Sequence, residues 1–242
     1  MNTFQVETFV SQGCIVVAID QLYAAALVVF PDGREMGALP LRQMIPLIQQ
    51  SHSPAATAPT LNGRTFESGI VPYLAQAGTF GVSLGGIVGA VACRVEPRLQ
   101  ACLFMDAPMP VDVVKFSLQR PALWITRDAE TMRPERRRSG GWTEADISAH
   151  QTSMRTTYAS SQHPSYFVQI PGMFHVNLTD VPYWSPLLQW VGITGPIDAQ
   201  RAHNINAYSL AFFNRHLLNR PEALLDSTAC PYPEVVFNAR QP

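Results

Sequence analysis

Short unbroken apolar runs alternate along this chain with polar or helically periodic stretches, a pattern that predicts buried strands separated by helices. Residues 4–12 carry Phe4, Val6, Phe9 and Val10 at helical spacing, and Gly13 stops them. The run 14–19 that follows is apolar throughout and bounded by Gly13 and Asp20, so it is expected to be a parallel strand covered on both faces. Residues 23–30 are apolar without a period, and Pro31-Asp32-Gly33 marks a turn. A helical stretch is expected at 39–50, a surface loop holding His52 at 51–59, and a lead-in at 65–74 to a strand over 77–81. Three further runs, 99–105, 121–126 and 165–170, predict more buried strands, and a helix over 87–94, closed by Pro97, separates the strand at 77–81 from the first of them. The closing helix is expected over 199–219, with Ile205, Leu210, Phe213 and Leu217 facing the core. Strands alternating with helices in this way predict an α/β fold with a mostly parallel sheet flanked by helices.

Two segments depart from that pattern. Residues 129–162 are polar, with Arg133, Arg136, Arg137 and Arg138 interspersed with Glu130, Glu135, Glu144 and Asp146. Mixed charge of this kind reads as a solvated excursion rather than a phosphate or nucleic-acid site. The tail, 221–242, is rich in proline and reads as an extended wrap on the surface.

Composition narrows the classes of function. With 242 residues and no visible linker the chain reads as a single domain, and 47% hydrophobic residues against 14% charged ones supply ample core. A formal net charge of −1 creates no field to gather nucleic acid or an acidic membrane, so a neutral ligand is expected. No apolar run is long enough to span a bilayer. Cys14, Cys93, Cys102 and Cys230 show neither C-x-x-C nor zinc-ligand spacing, so they demand neither metal nor an oxidising compartment, and nothing in the sequence calls for a cofactor. The first residues do not form a signal peptide, and localisation stays open.

The chemistry concentrates at residues 79–90, Thr-Phe-Gly-Val-Ser-Leu-Gly-Gly-Ile-Val-Gly-Ala. Ser83 stands at the apex of G-x-S-x-G, where a strand turns sharply into a helix and lifts the hydroxyl clear of the backbone, as in the nucleophile elbow of α/β-hydrolases. The strand, elbow, helix and strand that follow one another within residues 77–105 supply the context the motif requires. The backbone amide of Leu84, at the start of that helix, is the one oxyanion donor the sequence names. His175 lies just beyond the last strand, where this fold places its general base. His163 precedes that strand and belongs at the wrong edge, and His203 and His216 read as structural. Trp142 and Met132, in the polar excursion, are candidates for walls of a substrate pocket.

Residues 80–90, 101–109, 175–180, 195–198 and 207–213 together resemble the platelet-activating-factor acetylhydrolase-like branch of the α/β-hydrolases. The likeness covers most of residues 4–218. It implies an esterase acting on neutral, lipid-like, aromatic or polymeric esters, and places the triad acid directly after the strand that follows the elbow helix, at Asp106. Asp128, one strand later, is the rival, since many other α/β-hydrolases put the acid there. Asp180 is too close to His175 in sequence for that role and is expected to cap the local turn. Relatives begin with further strands and a His-Gly-type loop that gives a second oxyanion amide, whereas this sequence starts after it, and Val82 replaces a histidine often found there. A sheet short of those strands is expected to expose an apolar edge, and hence to pair with a second copy through residues 4–30, where Phe4, Phe9, Leu22, Tyr23, Leu27, Val28, Val29 and Phe30 supply apolar area. The rival to an ester hydrolase is a binding module that keeps the triad as a relic, and a thioesterase or peptidase is the enzymatic alternative.

Overall fold

A computed structural model describes residues 2–19, 27–29, 32–37, 76–140, 143–197, 203–226 and 231–241. The first elements are helix α1 (Thr3–Ser11) and a small antiparallel hairpin of β1 (Leu27–Val29) and β2 (Glu35–Gly37), closed by the Asp32 carboxylate on the amide of Arg34. Then come β3 (Ala77–Val82), α2 (Leu84–Val95), β4 (Leu99–Met105), α3 (Val111–Phe116), β5 (Ala122–Thr126), α4 (Ala129–Ser139), α5 (Glu144–Ser160) and β6 (Ser165–Gln169). A 3₁₀ turn at His175–Leu178 leads into α6 (Val181–Trp184), α7 (Leu187–Trp190), α8 (Asn204–Leu218), α9 (Ala223–Asp226) and β7 (Val236–Arg240). The main sheet runs β3-β4-β5-β6-β7, parallel except for the last pair.

Alternation along the central strands divides the core into two layers. Leu103, Met105, Leu123, Ile125, Tyr166 and Val168 face α1 and α8, where Phe9, Tyr208, Phe212 and Phe213 pack on them. Cys102, Phe104, Trp124 and Phe167 face the other way, against Ile87 and Ala90 of α2 and Met154 of α5. Burial on both faces is why these strands read as unbroken apolar runs. On the second face Cys93, near the end of α2, is disulfide-bonded to Cys102 of β4, a pairing that the cysteine spacing did not disclose.

Three expectations are corrected. Residues 14–19 form no strand: Cys14 and Val16 are half-buried against the core, while Ile15, Val17 and Ile19 are exposed, with no sheet partner among the described residues. Helix α1 occupies the expected stretch, with Phe9 buried, Phe4 and Val6 half-buried and Val10 exposed; it also buries Gln5, whose amide is satisfied by the Met105 sulfur and the Ser209 hydroxyl. The proline-rich tail is no mere wrap, since Leu225 and Val235 are buried and β7 extends the sheet with Phe237 stacked on Tyr166. Asp180 caps no local turn: its two carboxylate oxygens accept the amides of Thr3 and Phe4 at 3.1 and 3.2 Å, holding the start of α1. Of the residues expected at a copy-to-copy contact, Phe9 is buried in the core and Phe4 packs on Tyr183. Val29 is exposed, and Leu22, Tyr23 and Phe30 lie outside the described residues, as do the stretches 39–50, 51–59 and 65–74.

Candidate active site

The turn from β3 into α2 holds Ser83 at φ 54° and ψ −121°, in the left-handed half of backbone space that side chains disfavour. Small neighbours make that turn possible. A Cβ on Gly81 would sit 2.4 Å from the backbone of Gly85, and one on Gly86 would sit 2.5 Å from the Cβ of Ala107. The helix start therefore lies against the strand it has just left. The Ser83 amide donates to the Met105 carbonyl at 2.9 Å, which carries the β3–β4 ladder one residue past the strand. Ser83 and Asp106 thus stand side by side at the carboxyl edge of adjacent strands, where α/β sheets place their sites.

Asp106 is itself strained, at φ 44°, and its side chain is fully buried. Four donors converge on it. Oδ2 meets Nδ1 of His175 at 2.6 Å and Nε of Arg127 at 2.8 Å, while Oδ1 meets the Thr126 hydroxyl at 3.0 Å and Nε2 of His150 at 3.1 Å. Burial alone would push this carboxyl up. The charge of the Arg127 guanidinium, with the charge and hydrogen bond of His150 and the hydrogen bond of His175, outweighs burial and holds Asp106 well below the usual carboxylate range. A carboxylate fixed in this way presents a permanent negative charge to the His175 ring.

His175 comes from the loop after β6. Asn177, almost wholly buried, pins that loop by accepting the amides of Phe174 at 2.9 Å and Gly195 at 2.8 Å. Gly172, at φ 83°, makes the turn and donates to the Thr131 hydroxyl at 2.9 Å. The ring of His175 keeps 27% of its surface exposed, so it faces the open carboxyl edge while Asp106 lies beneath. Among the described residues, Ser83 and His175 share no hydrogen bond. Catalytic hydrogen bonds are often long in a free enzyme and tighten when substrate is bound.

Asp128, the rival acid, caps α4 by accepting the Thr131 amide at 2.5 Å. Met132 is buried, with its sulfur accepting from Gln151, so it presents no wall to a ligand; Trp142 lies outside the described residues. Leu84 is the first residue of α2, and its amide is among those that a helix start leaves without an intrahelical partner. His163 lines a cavity with Gln100 and Arg120, at the opposite, amino end of the sheet. His216 lies half-buried against Tyr166, and burial lowers it to about 4. A cleft of about 590 Å³, walled by Pro134, Pro171, Phe174 and Pro196, borders the His175 loop on the α4 side. The arginine excursion is paired as expected of a solvated surface, Arg133 with Glu130 and Glu144, and Arg136 with Glu144. Among the described residues no cluster of His, Cys, Asp and Glu could hold a metal ion, and no helix is long and apolar enough to cross a membrane.

Arg127 and His150 were not singled out from the sequence. His150 had a signal: it shares the buried face of α5 with Ile147, Met154 and Thr157, and a polar side chain on such a face needs a partner.

No family profile matches the chain, and no curated protein does. Solved structures do. One is the ferulic acid esterase from Streptomyces cinnamoneus, 21% identical with a TM-score of 0.60 over 90% of this chain and 63% of that one, so this chain spans less than two thirds of that structure's length. The order of strands, the elbow at Ser83 and this likeness agree: the chain has the α/β-hydrolase fold.

Proposed function

We propose that this chain is a serine carboxylic-ester hydrolase acting on neutral, apolar or aromatic esters. The observation that carries the reading is the 2.6 Å hydrogen bond between a buried, ionised Asp106 and His175, at the same sheet edge as the strained Ser83. In this reading Ser83 attacks the acyl carbon and His175 Nε2 takes its proton. The tetrahedral intermediate then collapses, His175 protonates the departing alcohol, and the acyl group remains on Ser83 until water, activated by the same imidazole, releases the acid. Asp106 holds the ring in the tautomer with Nδ1–H and stabilises the imidazolium. The Leu84 amide is the oxyanion donor. The solved structure's name, an esterase of ferulic acid, supports ester hydrolysis as the reaction class. The blocks at residues 80–90 and 175–180 support the platelet-activating-factor acetylhydrolase-like branch as the finer assignment.

Hydrolysis of p-nitrophenyl butyrate by wild type and Ser83→Ala, with fluorophosphonate labelling of both, tests the assignment. Wild type is expected to turn over and to label at Ser83, and the variant to lose turnover by on the order of 10⁶-fold and to stay unlabelled. Equal turnover by the two proteins would remove Ser83 from the chemistry. A wild type that neither turns over nor labels would leave the binding module as the reading, and preference for thioesters or amides in a substrate panel would move the reaction class.

A further inference from the structure

The hydrogen bonds around His175, together with one ion pair, close into a ring that runs beyond the three residues assigned to the reaction. Glu135, on α4, accepts the main-chain amide of His175 on Oε1 at 3.2 Å. Its other oxygen pairs with Nη1 of Arg127. Arg127 in turn donates from Nε to Asp106 Oδ2 at 2.8 Å, the same oxygen that meets the His175 ring. The histidine is therefore gripped twice, by its ring through Asp106 and by its backbone through Glu135, and one guanidinium joins the two grips.

The charges make this more than a structural brace. Arg127 is almost wholly buried, and by itself it would neutralise Asp106 at the oxygen that the imidazole needs. A second carboxylate on the far side of the guanidinium restores one net negative charge to the group. From the observation that Glu135 is ion-paired with Arg127 and accepts the His175 amide, and resting on the reading of His175 as the base, we propose that Glu135 is a positioning residue. It aligns the His175 loop and offsets Arg127, so that Asp106 keeps its full effect on the imidazolium. The other charged or titratable groups around the ring are His150, from α5 on Asp106 Oδ1, and Arg138, which donates to the Gly192 carbonyl and lies over the Phe174 ring.

Glu135→Gln separates the two functions, because the glutamine carbonyl can still accept the His175 amide while the charge is gone. With one negative charge fewer, the imidazolium loses its proton more readily. The acid limb of the kcat/KM profile for p-nitrophenyl butyrate is expected to move to lower pH by on the order of half to one unit. A weaker base is also slower, so kcat on the plateau falls by roughly ten-fold with KM unchanged. Glu135→Ala, which removes the acceptor as well, is expected to lose more. Removing both charges, in Arg127→Met with Glu135→Gln, is expected to return the acid limb toward wild type. Titration of the His175 ring followed by NMR, its signals assigned by loss in His175→Gln, reads the same displacement without any need for turnover. A Glu135→Gln protein with wild-type titration and wild-type kcat would overturn the inference, whether or not the double variant folds. Wild type that fails to label at Ser83 would instead strike the hydrolase reading, which the ring titration does not depend on.

Discussion

Two neighbouring strands of this sheet each run into an aspartate, and the structure treats the two in opposite ways. β4 ends at Met105, and Asp106 follows at once, with positive φ, no exposed side-chain surface and four donors. β5 ends at Thr126, and Asp128 comes two residues later, in extended backbone, where its carboxylate caps α4. The intervening Arg127 makes the difference, since it takes the place next to the strand and turns its charge onto Asp106. Here the acid one residue past its strand is held in the sheet edge, and the one two residues past its strand starts the next helix.

Asp106→Asn should break that comparison most sharply. An amide cannot stabilise the imidazolium and can favour the wrong tautomer, so kcat on p-nitrophenyl butyrate is expected to fall by on the order of 10⁴-fold. Asp128→Asn keeps an acceptor for the cap and should stay within about two-fold of wild type. Comparable losses in the two variants would dissolve the distinction.

Acid stability offers a second handle. The folded-state value for Asp106 lies below that of the unfolded chain, so its ionised form contributes stability that is in place above about pH 4 and is lost as pH falls through the lower, folded value. Denaturant titrations from pH 7 down to pH 2 should therefore show a steeper acid decline in wild type than in Asp106→Asn. A parallel decline would mean that other carboxylates carry it.

A third aspartate gives the smallest expected effect. Asp180 also caps a helix, but one that begins 177 residues earlier in the chain. Burial raises its carboxyl, and the amides of Thr3 and Phe4 more than offset that and lower it. Asp180→Ala is expected to cost about 1 kcal/mol in denaturant unfolding, the ordinary loss for a helix cap, with kcat unchanged. A fall in kcat would instead tie α1 to the His175 loop.

The pattern of the chain disclosed what is local. Residues 99–105 read as a strand because a two-faced apolar run lies between Pro97 and Asp106, and β4 occupies those residues. The run 14–19 has the same composition, but no strand pairs with it among the described residues, so its inner and outer positions take different environments. Composition can announce that a segment is apolar, whereas a ladder needs a neighbour supplied by the rest of the fold. The candidate site divides in the same way. Ser83 and His175 were visible because a motif and a place just after the apolar run 165–170 define them. Arg127, Glu135 and His150 were not, because they acquire meaning only when β5, α4 and α5 bring them against Asp106 and the His175 loop.

The bond between Cys93 and Cys102 gives the molecule an internal clock for motion of the far end of α2 against β4. Both sulfurs are buried, at 3% and 0% exposure of their residues, so a reductant can reach them only when α2 lifts from β4. The rate at which the native protein loses this bond in excess thiol therefore reports those openings, as their frequency once reduction outpaces reclosing, and trapping of the released thiols follows it directly. Closure of so short a loop contributes about 2–3 kcal/mol through the unfolded chain. Pairing of this kind belongs to oxidising compartments. Chain made in a reducing cytosol would begin with α2 held to the sheet by packing alone, and is expected to unfold at lower denaturant until it is oxidised.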